Sequence, residues 1–250
     1  MKKIIIANWK MQLSILETKN LIKNYKFLAA KNKNIFNNLE IVACPDFLMI
    51  DMATKIFKGS KIKTGAQNSA ASNQGPWTGE VSALNLKRLG VNYVILGHSE
   101  RRQKLGEVDV LINEKIKTVL DNKLIPVICV GENLEQRKTG KTKAILLNQL
   151  KQVLKKVKIK KSSDLILAYE PIWAIGSGQT PTVHEINEIH KFLQIQARKI
   201  LSASTSIIYG GSVNKSNATE ILQAQYVAGL LVGGASLQAK NFFDLIQINR

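Results

Sequence analysis

Acidic residues are scarce in this chain. Its 250 residues carry 18 Asp and Glu against 36 Lys and Arg, a net charge of +18. Cysteine is scarcer, with only Cys44 and Cys129. Two cysteines are too few for a disulfide framework or a cysteine-built metal cluster, and a reducing compartment is the simpler reading. Five prolines and 16 glycines exclude collagen-like and low-complexity sequence. No apolar run approaches the ~18 residues of a membrane span. The stretch Ile4-Ile5-Ile6-Ala7 begins like a secretion signal, but Asn8, Trp9 and Lys10 end it far short of an apolar core. These absences predict a cytoplasmic protein with no membrane partner.

A nucleic-acid binder gathers its charge on one face or tail with aromatics interleaved. Here lysines are scattered along the chain and aromatics make up 6%. The densest run, Lys155 to Lys161, reads as a solvated helix end and loop. No nucleic-acid partner is expected, and the positive field instead favours encounter with a small anionic substrate.

The chain does contain a recurring strand pattern. Short aliphatic runs stand at Ile4 to Ala7, Glu40 to Ala43, Ile62 to Gly65 and Tyr93 to Leu96. They recur at Pro126 to Val130, Leu165 to Tyr169, Ser206 to Tyr209 and Gly229 to Val232. Their spacing leaves room for a helix between neighbours and is too long for hairpins. Strands apolar on both faces and alternating with helices imply a parallel sheet covered by helices. Ser14-x-x-Glu17, Thr182-x-x-Glu185 and Asn217-x-x-Glu220 have the form of capping boxes at helix starts. Apolar residues 15, 16, 22, 25 and 28 keep near-helical spacing and are expected to face the core. With no linker or composition break, the fold class is α/β, a single (β/α)8 barrel occupying 1–250 as one domain. Such barrels commonly fold as one unit at about 200 to 250 residues.

Polar and glycine residues follow every strand. Asn8-Trp9-Lys10, Cys44-Pro45-Asp46, Ala66-Gln67-Asn68 and Gly97-His98-Ser99-Glu100 follow the first four. Gly131-Glu132, Glu170-Pro171, Gly210-Gly211-Ser212 and Gly233-Gly234 follow the others. In a closed barrel all eight strand C-termini open on one face, where active sites are built. Gly211-Ser212 and Gly233-Gly234 at the last two strands allow backbone N–H groups to approach an anion without Cβ obstruction, the usual phosphate position of these barrels. His98 precedes a helix start, where the helix N-terminus disfavours imidazolium. Cys129 has no histidine in its motif and reads as a packing residue. His184 and His190 fall in a long helix pattern and read as structural or exposed.

Several motifs are specific. They are N-W-K at 8–10, G-A-Q-N at 65–68, T-G-E at 78–80, G-H-S-E-R-R at 97–102 and C-V-G-E at 129–132. A-Y-E-P-I-W-A-I-G-S-G at 168–178, Y-G-G-S-V at 209–213 and G-L-L-V-G-G-A-S-L at 229–237 complete the series. In this order they span the chain, which resembles the triosephosphate isomerases. The resemblance implies interconversion of dihydroxyacetone phosphate and D-glyceraldehyde 3-phosphate in glycolysis and gluconeogenesis, with no metal and no organic cofactor. It makes Glu170 the base, His98 a neutral hydrogen-bond donor to the enediolate and Lys10 the fixed positive charge, with Asn8 beside it as the fourth catalytic residue. Glu100 then holds Lys10, and Cys129 packs behind the base. The phosphate falls to Gly176, Ser212, Gly233 and Gly234, and the apolar loop after Glu170 becomes a lid. The resemblance also implies a homodimer through loop 67–80, with Thr78 approaching the partner's site.

The chain departs from the family pattern at Ala7, Gln12, Pro76-Trp77 and Ala228. Ala228 stands where an aspartate often lies, which removes a structural ion pair, and Pro76-Trp77 bears on the subunit contact. Two rival readings rest on other features. A Schiff-base aldolase of the same fold would use Lys10 and leave Glu170 and His98 without a purpose. A basic nucleic-acid or surface-binding protein with the barrel as inert scaffold would exploit the charge.

Overall fold

A computed structural model of the chain describes residues 2–175 and 179–247. The elements begin with β1 (Lys3–Asn8), α1 (Ile15–Lys31), β2 (Leu39–Cys44), α2 (Ile50–Phe57), β3 (Ile62–Ala66), α3 (Ala83–Arg88) and β4 (Tyr93–Leu96). Next come α4 (Ser99–Lys104), α5 (Asp109–Asp121), β5 (Ile125–Val130), α6 (Leu134–Lys138), α7 (Thr142–Val153) and β6 (Ile166–Tyr169). The order ends with α8 (Val183–Leu201), β7 (Ser206–Tyr209), α9 (Ala218–Gln223), β8 (Gly229–Val232) and α10 (Ala239–Ile246). Each strand pairs in parallel with its sequence neighbours, and β8 returns to β1 with Ile5 opposite Leu230. The eight-stranded parallel barrel is therefore closed, and each expected strand is present to within a residue.

Closure follows from side-chain alternation. Along β1, Ile6 points into the barrel with Val42, Ile95, Val127, Ile208 and Leu231, while Ile5 and Ala7 face the helices. Successive residues of a strand point to opposite faces, so only strands apolar on both sides can be covered twice. Tyr25 fixes the seam. It stacks on Phe242 at 5.0 Å, meets Trp9 edge-on at 5.1 Å and donates a hydrogen bond to the Ser236 carbonyl at 2.7 Å. At Ala228 the N–H donates to the Ile207 carbonyl and the carbonyl accepts from the Ile4 N–H, while the methyl group packs against the barrel interior.

The helix starts bear out two of three capping boxes. Ser14 with Glu17 and Thr182 with Glu185 make both reciprocal bonds. Asn217 does not cap α9, because its side chain is taken by the Asn214 N–H and the Ser212 carbonyl. A box the sequence reading missed joins Asn133 and Gln136 at α6. In α1, Ile22 and Tyr25 are buried as expected, but Ile15 and Leu16 are exposed, 62% and 66%. The first turn of α1 therefore presents apolar surface outward instead of to the core.

His190 is wholly buried, edge-on to Tyr169 at 5.9 Å, and burial lowers its pKa from 6.5 to about 4. Between those values the unfolded chain binds a proton that the native chain refuses. Stability is therefore full above pH 6.5 and declines as pH falls towards 4, by up to about 3 kcal/mol. Urea unfolding of wild type and His190→Met at pH 7 and pH 4.5 checks this. The wild type is expected to lose about 2 to 3 kcal/mol relative to the variant on acidification, and a constant difference would refute it.

Candidate active site

The strand C-termini gather the polar residues at one mouth. Glu170 leaves β6 and is 1% exposed. Its backbone is pressed against the neighbouring loop, where a Cβ on Gly131 would stand 1.7 Å from the Glu170 carbonyl oxygen. Only glycine fits that approach. The carboxylate accepts a hydrogen bond from the Ser99 N–H through Oε2 at 2.9 Å. Its Oε1 lies 3.3 Å from His98 Nε2 but takes no aligned hydrogen bond.

His98 caps α4. Its Nδ1 accepts from the Glu100 N–H at 3.3 Å. An accepting Nδ1 carries no proton, which assigns the ring hydrogen to Nε2, the nitrogen facing Glu170. Nε2–H is thus the donor the site presents.

Lys10 follows β1 with φ of 54°, a left-handed conformation that costs a non-glycine residue about 1 to 2 kcal/mol. Three contacts hold it there. The Lys10 N–H donates to Asn8 Oδ1 at 3.1 Å, its carbonyl accepts from Gln67 Nε2 at 2.8 Å, and its Nζ donates to Glu100 Oε1 at 2.6 Å. Burial pushes the Glu100 carboxyl up, but the hydrogen bond and charge of Lys10, with His98 and Lys104, outweigh it and leave the pKa below the usual range. The expected pairing of Glu100 with Lys10 is present, and Asn8 is the residue that sets the backbone.

A cavity of about 290 Å³ opens between these groups and the ends of β7 and β8. Asn8, Lys10 and His98 line one wall, and Gly211, Ser212, Gly233 and Gly234 the other. A Cβ on Gly234 would meet nothing within 4 Å, whereas one on Gly233 would stand 3.3 Å from Lys10 Cε. The glycines therefore bring backbone against open space and against the lysine stem. Glu170 is not among the lining residues. Gly176 lies outside the described residues.

Cys129 is fully buried next to Glu170. Burial and then the Glu170 charge push its thiol well above the usual range. A thiol so held stays protonated, consistent with packing and not with nucleophilic attack.

Sequence reasoning missed Glu132. This buried carboxylate accepts from Trp173 Nε1 at 2.9 Å and Tyr169 Oη at 3.1 Å, while Arg137 lies over the Trp173 ring at 4.1 Å. Burial raises its pKa, partly offset by those donors and Arg137. Its place just beyond β5, at the end of the C-V-G-E motif, was the available signal. Among the described residues, no three His, Cys, Asp or Glu side chains are grouped to hold a metal ion.

The family model described as triosephosphate isomerase matches residues 3–249. The chain belongs to the triosephosphate isomerase family. It is 40% identical over 250 residues to the triosephosphate isomerase of Dictyoglomus turgidum, covering 98% of this chain and 99% of the relative. The enzyme from Mycoplasmopsis pulmonis is 41% identical over 250 residues, covering 99% and 98%. The crystal structure of the Bartonella henselae triosephosphate isomerase superposes with a TM-score of 0.88 at 31% identity, covering 99% of each chain.

Proposed function

We propose that this chain interconverts dihydroxyacetone phosphate and D-glyceraldehyde 3-phosphate through an enediolate, in glycolysis and gluconeogenesis, as one catalytic domain spanning 1–250. One observation carries the reading: the Glu170 carboxylate lies 3.3 Å from the His98 imidazole, and His98 and Lys10 border a glycine-lined cavity of about 290 Å³. Glu170 removes a proton from the carbon next to the carbonyl and returns it to the neighbouring carbon. His98 Nε2–H donates to the oxygen that becomes negative, and Lys10 supplies fixed positive charge. Ser212, Gly233 and Gly234 hold the phosphate, with Gly176 assigned from the family motif. The proton shift between adjacent carbons leaves the substrate's overall oxidation state unchanged, so no redox carrier enters it.

Glu170 lies behind His98, bonded to Ser99. To reach a carbon in the cavity it must release the Ser99 N–H and rotate, exchanging one hydrogen bond for contact with substrate. A coupled assay of triose phosphate isomerisation with purified protein tests the reading, and absence of turnover with either triose phosphate would overturn it.

The same reading extends to a cytoplasmic homodimer. No helix of the described residues is long and apolar enough to cross a membrane. Loop 67–80 is anchored at its base, where Ala70 N–H donates to Val81 and Thr118 Oγ1 to Ala71. Its tip stands out, with Trp77 49% exposed. Beside the site lies a second pocket of about 380 Å³ bordered by Met11, Phe47 and Leu105. A protruding loop with an exposed tryptophan at its tip and an apolar pocket on one chain satisfy a two-fold contact, each loop entering the other copy. Sedimentation at micromolar concentration is expected to give twice the chain mass, and Trp77→Glu to shift the population to monomer. A wild-type monomer would contradict it.

A further inference from the structure

The barrel end opposite the site has no role in this mechanism, yet it gathers the charge. Strand order brings the loops entering β3 to β6 to one face, although they are widely separated in sequence. Lys58, Lys61, Arg88, Lys123, Lys158 and Lys160, all exposed, stand in or beside those loops. Helix dipoles favour cations at helix C-termini, which accounts for Arg88 but not for Lys158 and Lys160, which lie beyond α7.

Ion pairing is distributed unequally. Lys10–Glu100, Arg101–Glu107, Arg102–Asp109 and Arg137–Glu185 neutralise cations at the site end. Among the described residues, no ion pair joins Lys58, Arg88, Lys123, Lys158 or Lys160 to a carboxylate. Asp164, the acid nearest in sequence to Lys160, uses its carboxylate on the Lys160 and Lys161 backbone N–H groups. A cleft of about 490 Å³ on this face is lined by Lys58, Lys63 and Arg88, and Asp51 at its edge is already paired with Lys55 at 2.6 Å.

We propose that this face docks the phosphodiester backbone of double-stranded nucleic acid, without reading its sequence. Unpaired exposed cations in adjacent loops match a partner carrying one charge per about 1.7 Å of axis. A bilayer is the poorer match, because among the described residues Leu89 is the one large apolar side chain well exposed in the lining of the cleft, whereas Met11, Phe47, Trp77 and Leu105 lie towards the site end. Single strands are also disfavoured, since the exposed aromatics Phe27, Phe47 and Trp77 lie away from the cleft and offer no stacking platform there.

The test is fluorescence anisotropy with a labelled 25-base-pair DNA duplex between 50 and 200 mM salt. Wild type is expected to bind at 50 mM salt, with log affinity falling linearly against log salt by about 0.9 per phosphate engaged. Lys58→Glu/Arg88→Glu/Lys158→Glu/Lys160→Glu is expected to weaken binding more than tenfold and flatten that slope. The site-end control, Lys138→Glu/Lys141→Glu/Lys143→Glu/Lys240→Glu, carries the same charge change and is expected to lose less than threefold. Circular dichroism and unfolding midpoints establish that both variants are folded, and glutamine substitutions at the same positions replace either one that is not. Absence of wild-type binding, or equal losses in the two variants, would overturn the proposal. So would binding to phosphatidylserine vesicles without binding to duplex.

Discussion

Glu170→Gln is expected to lower kcat by about 10³-fold or more while leaving KM within a few-fold of wild type. General acid–base catalysis is worth about 10² to 10⁴, and an amide cannot take a proton from carbon at all. The substitution keeps the side chain's size, although its NH2 group then faces the His98 Nε2–H across the 3.3 Å that separates Oε1 from Nε2. The glutamine carbonyl can still accept from Ser99 N–H, whose bond to Oε2 is 2.9 Å, and the volume behind His98 is unchanged. Unfolding midpoints and inorganic-phosphate inhibition constants should match wild type, which separates lost chemistry from lost structure. A variant that keeps more than half of wild-type turnover would remove Glu170 from the mechanism.

Lys10→Met is expected to reduce kcat/KM by about 10²- to 10³-fold through two charge effects. Opposite charges about 4 Å apart attract by about 4 kcal/mol at an effective dielectric of 20, and a binding or transition-state loss of that order equals about three powers of ten. The second effect is local to this site. Lys10 is paired with Glu100 at 2.6 Å, so removing the ammonium leaves a carboxylate at the edge of a pocket meant for an anion. Lys10→Met/Glu100→Gln is therefore expected to bind substrate more tightly than Lys10→Met while remaining slow. Kinetics of the two variants at low and high salt measure this, and identical KM values for both would show that Glu100 carries no such repulsion.

Much of this architecture could be read in the chain, for a physical reason. Parallel strands buried on both faces leave continuous aliphatic runs, and a barrel gives every run a polar or glycine end on one side. Glu170, His98 and Lys10 stood out as candidates because each follows such a run. Orientation was not legible. Nothing in the sequence shows that the Glu170 carboxylate rests on Ser99 N–H, or that Lys10 is held in a left-handed conformation by Asn8 and Gln67. Glu132 escaped because a buried acid reads in sequence like any loop acid until Trp173 and Tyr169 are brought to it. The failed cap at Asn217 reflects local competition, since its side chain bonds the Asn214 N–H instead of a helix N–H. Helical spacing placed Ile15 and Leu16 on one strip without revealing that the strip's first turn faces outward. Charges that look scattered in sequence come together because the loops bearing them precede neighbouring strands.

The most direct test of proton transfer through Glu170 is isomerisation of dihydroxyacetone phosphate in D2O, with deuterium on the product located by proton NMR. A carboxylate that carries the proton exchanges it with solvent during its lifetime in the acid form. Glyceraldehyde 3-phosphate from wild type should therefore contain deuterium at the carbon next to its carbonyl, and Glu170→Gln should yield almost no labelled product. Product formed at the wild-type rate with that carbon wholly protiated, in both proteins, would mean that hydrogen moves directly between the carbons and that Glu170 is not the base.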